Sequence, residues 1–315
     1  MQAAVLNAPT PVRLAGYQGA ASILSASLHE LARGLAAAGD DFDVQVQDDV
    51  TAAGEKAGEL FASVEACQRH VAYMASGYLS ARVPALGVLD LPFSVSDRAT
   101  ALAALDGEAG SLLRQAVAQG SGLHILAFWD NGFRHISNAV RPLCTPADCK
   151  GLVIRTLDSA LYRELLAALG FTAVTTDVKD LMPAVRSGTV QAQENPLTNL
   201  LTFGLWQHHP HVSLTAHAFG VLLLVCPQNW YAALPAARRS ALDEAVARAT
   251  QMQRELAAAQ DHSAMAQLRQ HGVQVLVPED IDLAAMRAAT APITARLSRE
   301  LPAALLQAYL PHKVH

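Results

Sequence analysis

Residues 150–156, Lys150-Gly151-Leu152-Val153-Ile154-Arg155-Thr156, set an apolar, β-branched run too short for a typical helix directly before an arginine. Such a run reads as a buried strand with a cation at its exit. A guanidinium taken out of water is destabilising unless an anion faces it, and its planar fork of donors matches a carboxylate through two parallel hydrogen bonds. The partner is then either an acid of the chain itself, making an internal ion pair, or a bound anion. Upstream, Gly132-Phe133-Arg134-His135-Ile136-Ser137-Asn138 puts a second arginine on another short strand, with Arg134 and Ile136 on one face. Downstream, Val190-Gln191-Ala192-Gln193 reads as a strand, and Asn195-Pro196 as the N-cap and first residue of the helix after it.

Working outward, strands and helices alternate. Val12-Arg13-Leu14-Ala15 is a strand, Gly16-Tyr17-Gln18-Gly19 a turn, and Leu24, Leu28, Leu31 and Leu35 the apolar stripe of a helix. Phe42, Val44 and Val46 alternate with polar residues as a second strand, a helix runs through Leu60, Phe61 and Val64, and residues 70–74 return as a third strand. Residues 122–128 read as a strand buried on both faces, and Phe219 to Cys226 as a central strand. A helix spans residues 159–169 with Asp158 as its N-cap, Asp177 caps the next, and a long helical pattern runs from Pro235 to about Gln270. With no repeat and no Pro/Gly-rich linker, the two units are expected to be joined by elements that cross between them.

Composition agrees with that layout. At 315 residues, 51% hydrophobic and 16% charged, the chain exceeds a comfortable single core and has a globular balance; 5% aromatic content suits a helix-rich α/β protein. A net charge of −5 without a basic stripe argues against nucleic acid as a partner, so any anion site must be local. No apolar segment approaches the ~20 residues that span a bilayer, so the chain is not membrane-embedded. Met1-Gln2-Ala3-Ala4-Val5 has neither a basic leader nor an apolar core, which reads as a cytoplasmic protein or as a mature chain whose leader is gone. Cys67 and Cys226 fall in or beside apolar stretches, whereas Cys144 and Cys149 flank a loop and either stay free or pair in an oxidising compartment.

Taken together, Gly132-Phe133-Arg134, then Arg141-Pro142 with Pro146-Ala147-Asp148 and Lys150-Gly151, then Ile154-Arg155 and Gln193-Glu194-Asn195-Pro196, carry a specific pattern. It resembles the solute-binding subunits of tripartite ATP-independent periplasmic (TRAP) transporters, with Leu91-Pro92-Phe93 and Thr215-Ala216-His217 extending the likeness over most of the chain. The resemblance implies an α/β protein of the two-lobed periplasmic-binding type, with mixed sheets, an interlobe ligand cleft and a long crossing helix. It places one lobe at 1–129 plus 220–258 and the other at 130–219 plus 259–315. It implies a periplasmic monomer that captures a small organic acid and delivers it to a TRAP-type membrane permease, with no cofactor. The acid can be a monocarboxylate, a dicarboxylate, a sugar acid or a keto acid.

The resemblance makes Arg155 the carboxylate clamp, with Arg134 a second anion contact or an ion pair, and Asn195 a donor to a ligand oxygen as well as a cap. Asp158 is a cap or an acceptor for a ligand hydroxyl or ammonium. At the position of Val178 the family often has an aromatic ring; the aliphatic side chain leaves more room, which Trp129 or Tyr17 would fill. Tyr17, Tyr73, Ser76, Phe93, Trp129 and Phe219 fall at or just beyond strand ends and are lining candidates, with core packing as the alternative; His217 joins them through its motif. His208, His209, His211 and His217 lack metal-ligand spacing, Pro210 interrupts any helix there, and a polar loop is expected. No nucleophile elbow, zinc-protease, phosphate-loop or dinucleotide motif is present. An enzyme acting on a carboxylated metabolite, with His135 or His217 carrying a proton, and a ligand sensor that signals to a receptor are the rival readings.

Overall fold

The computed structural model describes residues 8–39 and 41–310; Met1-Gln2-Ala3-Ala4-Val5, on which the leader reading falls, lies outside them. Its strands are β1 (Thr10–Ala15), β2 (Phe42–Gln47), β3 (Val71–Ala75), β4 (Leu123–Asn138), β5 (Val153–Thr156), β6 (Thr172–Thr175), β7 (Ala192–Pro196), β8 (His211–Pro227) and β9 (Gln274–Leu276). The helices up to the middle of the chain are α1 (Ile23–Ala36), α2 (Leu60–Glu65), α3 (Arg98–Asp106), α4 (Glu108–Gly120), α5 (Ala160–Ala168) and α6 (Val178–Arg186). Beyond them come α7 (Leu197–Thr202), α8 (Gln228–Ala233), α9 (Ala236–Gln270), α10 (Leu283–Glu300) and α11 (Ala303–Tyr309).

All the strands join one mixed sheet in the order β2-β1-β3-β8-β4-β7-β5-β6, with β9 on β8, where the sequence suggests more than one sheet. The two ends of this order are parallel βα units, β1 to β3 and β5 to β7, and the middle is the antiparallel pair β4 and β8. That pair is what crosses from one half to the other. The sequence reads 122–128 and 133–137 as separate strands, but Trp129-Asp130-Asn131-Gly132 does not break the ladder. Register shifts between Asp130 and Gly132 and between Arg134 and Ile136 absorb it. Gly132 takes a positive φ of 89°, a conformation that an L side chain adopts only with strain, so the glycine lets the strand bend without ending. Residues 122–128 are not buried on both faces, since His124 and Leu126 are half-exposed while Leu123 and Ile125 are buried.

Helix α1 buries Leu24, Leu28, Leu31 and Leu35 and is capped by the Ser22 side chain, which accepts from the Ser25 amide. Its Gly34 lets α9 approach closely, because a Cβ there would stand 2.8 Å from that of Ala245. At ~1.5 Å per residue the 35 residues of α9 extend about 50 Å, packing on α1 and β4 and, farther along, on α7 and β9. It grips the bend of β4 directly: buried Gln253 accepts from the Asp130 amide (2.9 Å) and donates to the Asp130 carbonyl (2.7 Å). Helix α11 reaches back to pack on α3 and α4.

Two cap assignments need correction. Asp158 is exposed, and Ser159 caps α5 by accepting from the Tyr162 amide. Asn195 lies within β7, so Pro196 rather than Asn195 occupies the cap of α7. Both readings slip by one residue because serine caps as well as aspartate does, and because the strand ladder holds Asn195 opposite His135. Asp177 does cap α6. All four cysteines are free, Cys144 and Cys149 included.

Candidate ligand-binding site

Strand β5 carries Arg155 between β6 and β7, opposite Val174 and Gln193, and leaves it 2% exposed. Its Nε and Nη2 donate to the Thr176 carbonyl, at 2.7 and 2.5 Å. Among the described residues no carboxylate lies within 4.0 Å of it. The Tyr78 hydroxyl sits beside the guanidinium without meeting hydrogen-bond geometry, and it is buried and unpartnered. Tyr17, 5% exposed, comes from the other side of the sheet order and lies within electrostatic reach of Arg155 and Arg134.

Arg134 is situated differently. Its Nε and Nη2 meet the two carboxylate oxygens of Glu194 at 2.5 and 2.9 Å, and Nη2 also donates to the Glu194 carbonyl (2.9 Å) and the Asn195 side chain (3.3 Å). Thr156 Oγ1 donates to the same carboxylate at 2.7 Å, and His217 Nε2 stands 3.4 Å from it. Burial alone would raise the Glu194 carboxyl, but the Arg134 charge and hydrogen bonds, with the His217 ring nearby, outweigh it and hold the group at about 2. The ring of Tyr162 lies under the guanidinium, 5.3 Å from centroid to Cζ, and its hydroxyl donates to Asp90 at 3.2 Å. The other oxygen of buried Asp90 has no partner.

Asn195 spends both ends of its amide on neighbours: it donates to Gln193 (2.6 Å) and accepts from Asn199 (3.2 Å). Asn199 also lines a narrow recess with Gln18, Asn131 and Thr198 and with the acids Asp130 and Asp261, both of which pair with Arg98, at 3.2 and 2.6 Å. The amide nitrogen of Gln18 is buried and unpartnered.

The remaining candidates divide. Tyr73 is fully buried, its hydroxyl accepting from the Tyr17 amide at 3.3 Å and so fixing the Tyr17 turn. Trp129 is fully buried and tied to α9 by its bond to Thr250 (3.0 Å), and Phe219 packs on Phe133 at 5.1 Å within the core. Ser76 is buried at the start of a short 3-10 turn, and Val178 is half-buried at the start of α6. Phe93, at a positive φ of 51°, donates its amide to the His217 carbonyl at 2.9 Å. His217 Nδ1 meets Thr215 at 2.8 Å, and between them Ala216 has a φ of 44° and donates to His135 Nδ1 at 3.1 Å. Arg155, Arg134, Tyr17, Asn195 and His217 therefore gather at one place; Asp158 faces solvent, and Trp129 and Phe219 belong to the sheet core. No group of three or more potential metal ligands occurs among the described residues.

Glu194, Tyr78, Tyr162 and Asp90 are missed by sequence reasoning, although Glu194 stands inside the quoted motif. The requirement that a buried arginine find an acid could have singled it out. Asp177, foreseen only as a cap, does more: its carboxylate also accepts from the amides of Ala57 (3.1 Å) and Gly58 (2.9 Å), and Lys179 Nζ donates to the Gly54 carbonyl. These contacts, with Tyr162 to Asp90, join the residues after β4 to those before it.

With this geometry in place, residues 29–300 match the bacterial extracellular solute-binding proteins of family 7. The chain is a family-7 solute-binding protein. It is 34% identical over 250 residues to a solute-binding protein of Verminephrobacter eiseniae, covering 78% of this chain and 73% of that one. Among solved structures, this family-7 protein superposes on a TRAP periplasmic solute-binding protein from Bordetella, whose density was assigned to pantoate. The TM-score is 0.89 and the identity 28%, with 97% of this chain and 100% of that one covered. A Polaromonas protein of the same kind, bound to D-erythronate, gives a TM-score of 0.90 at 25% identity over the same shares. The mixed α/β architecture is thus that of the two-lobed TRAP binding proteins.

Proposed function

We propose that this solute-binding protein captures a small organic acid between its lobes, with Arg155 as the group that meets the ligand carboxylate, and delivers it to a TRAP-type membrane permease. The observation that carries the reading is a buried guanidinium with no carboxylate within 4.0 Å among the described residues, one β-strand away from an arginine whose acid is built in. Burying a cation without an anion is strongly destabilising, so a bound carboxylate at Arg155 completes the site. The pantoate and D-erythronate of the two solved relatives are both carboxylates, which supports the same assignment.

The lobes are taken as 1–129 plus 220–258 and 130–219 plus 259–315, with α11 packing back across onto α3 and α4. Arg155, Arg134 and Asn195 then come from one lobe and Tyr17 and Tyr78 from the other, and closure excludes water and strengthens the ion pair. A micromolar affinity, roughly −8 kcal/mol, needs only that pairing and modest apolar burial. The working site is the periplasm and the working form a monomer. Catalysis gains no support: burial, reinforced by His217 and Arg134, pushes the His135 imidazole down to about 3, and its Nδ1 already accepts from the Ala216 amide. A thermal-shift screen of organic acids against the purified protein tests the reading. Selected carboxylates should raise the melting temperature without being turned over. A screen in which no carboxylate stabilises the protein, or in which a bound acid is chemically converted, contradicts it.

A further inference from the structure

Beside the bulge of β4, two acids share one arginine. The bulge lies between Asp130 and Gly132, where β4 passes from one half of the protein to the other with α9 packed alongside it. Arg98, the first residue of α3, stands between the two elements. Its Nε is 3.2 Å from Asp130 Oδ2, and its Nη2 donates to Asp261 Oδ2 on α9 at 2.6 Å. Asp130 Oδ1 accepts from the Gly132 amide across the bulge at 2.7 Å. Gln253, about two turns before Asp261 on α9, holds both backbone groups of Asp130. The bulge is thus fastened to α9 twice, through Gln253 and through Arg98.

The second fastening is short of positive charge. One guanidinium faces two carboxylates whose side chains are 0% and 21% exposed, and a buried charge left uncompensated is destabilising. Asp130 Oδ2 and Asp261 Oδ1 are buried without a hydrogen bond, as is the Gln18 amide nitrogen in the same recess. Arg254 on α9 adds a weaker positive field and is itself paired with Asp106, while Gln18, Thr198, Asn199 and, across the ladder, Val221 carry no charge. Burial pushes the Asp130 carboxyl up to about 6, with Asp261 adding to the rise and Arg98 and the Gly132 amide opposing it. Burial likewise raises Asp261 against the pull of Arg98. One proton on the pair leaves one acid for one arginine. The walls of the recess come from both halves, Gln18 and Leu24 from before β4 and Thr198 and Asn199 from after it. Parting them would admit water to both acids and return them toward the ordinary carboxylate value near ~4.

We infer that ligand capture takes up a proton at the pair of Asp130 and Asp261, and that Arg98 is a positioning residue that, with this proton, ties β4 to α9 in the closed form. This rests on the reading that the two halves close on a carboxylate. The proton comes from bulk water and returns to it on opening. Because the closed form holds the proton more tightly than the open form, capture is strongest in acid and weakens as pH rises through about 6. It levels off above about pH 7.

The test is a calorimetric titration of the wild type with the carboxylate that most raises its melting temperature. It is run at pH 5 and pH 7.5, each in two buffers of different ionisation enthalpy, so that affinity and proton uptake are read together. Affinity should be about tenfold higher at pH 5, with about half a proton or more taken up per ligand there. Asp261→Asn keeps an acceptor for Arg98 and leaves one acid per arginine. It should lower the uptake at pH 5 by at least about half a proton and shrink the affinity ratio at least about fivefold. Asp90, the other buried acid that burial raises, is untouched in this variant, so uptake unchanged from the wild type places the proton elsewhere and overturns the inference. Arg98→Gln leaves both acids without their cation and should extend the uptake to pH 7.5, a change that a merely structural arginine would not produce. Binding without proton uptake at pH 5 overturns the inference and leaves the capture reading standing, and this wild-type result decides if neither variant folds. If no carboxylate binds at either pH, the capture reading fails and takes the inference with it.

Discussion

Glu194 is fully buried and holds Arg134 through both of its carboxylate oxygens, whereas Arg155, equally enclosed, has a backbone carbonyl for a partner. The burial of Arg155 was legible in the sequence, since it closes an apolar, β-branched run. The fate of Arg134 was not legible, because partner choice is settled by which strands become neighbours: β7 sets Glu194 opposite Ile136, diagonally beside Arg134. Asp90 shows the opposite tendency to Glu194. Burial pushes its carboxyl up to about 7, with the Tyr162 hydrogen bond and the Arg134 charge opposing the rise. A folded value above the ordinary one means that the folded protein binds the proton more tightly. Its contribution to stability is thus full below about pH 4 and is lost as pH rises through about 7. Asp90→Asn, which keeps an acceptor for Tyr162, should melt at the same temperature as the wild type near pH 4 and higher near pH 8, by up to a few kcal/mol in stability. Melting curves that keep a constant offset between those pH values would show that Asp90 is not the titrating group.

At the level of elements, the βα alternation, the leucine stripe of α1 and the extent of α9 were readable because each rests on local periodicity. The sixteen-residue β4 was not, because Trp129-Asp130-Asn131-Gly132 has the composition of a turn. Only pairing with β8, and the grip of Gln253 on Asp130, keeps it in the ladder. Asp177 at the start of α6 was readable as a cap but not as a bridge, since its other partners, Ala57 and Gly58, lie about 120 residues away. Arg155 holds the carbonyl of Thr176, the residue just before it, so the proposed clamp and the bridge share one segment. Asp177→Asn keeps a competent cap while weakening the bonds to Ala57 and Gly58. Ligand dissociation followed by stopped flow should speed up roughly tenfold, equivalent to about 1.4 kcal/mol, with the ligand-free melting temperature little changed. An unaltered dissociation rate would remove Asp177 from any part in holding the closed form.

Over the whole molecule, one continuous sheet links two parallel βα units through β4 and β8, and α9 runs along both. The proposed closure would therefore bend only a few elements, and the bulges of β4 at Asp130 and Arg134 are where we place the flexure. The net charge of −5 gives no general attraction for an anionic ligand, so the proposed capture rests on the local guanidinium and on expelling water around it. The two-unit architecture was legible from the order of elements, but the single sheet was not, because it is made by two strands that each run through a turn-like sequence. The most direct measurement is a calorimetric titration of the wild type and of Arg155→Ala with the carboxylate that most raises the wild-type melting temperature. The account predicts a loss of affinity of at least about thirty-fold, or 2 kcal/mol, in a variant that is still folded when ligand-free. A dissociation constant within about threefold of the wild type, in a folded variant, would contradict it.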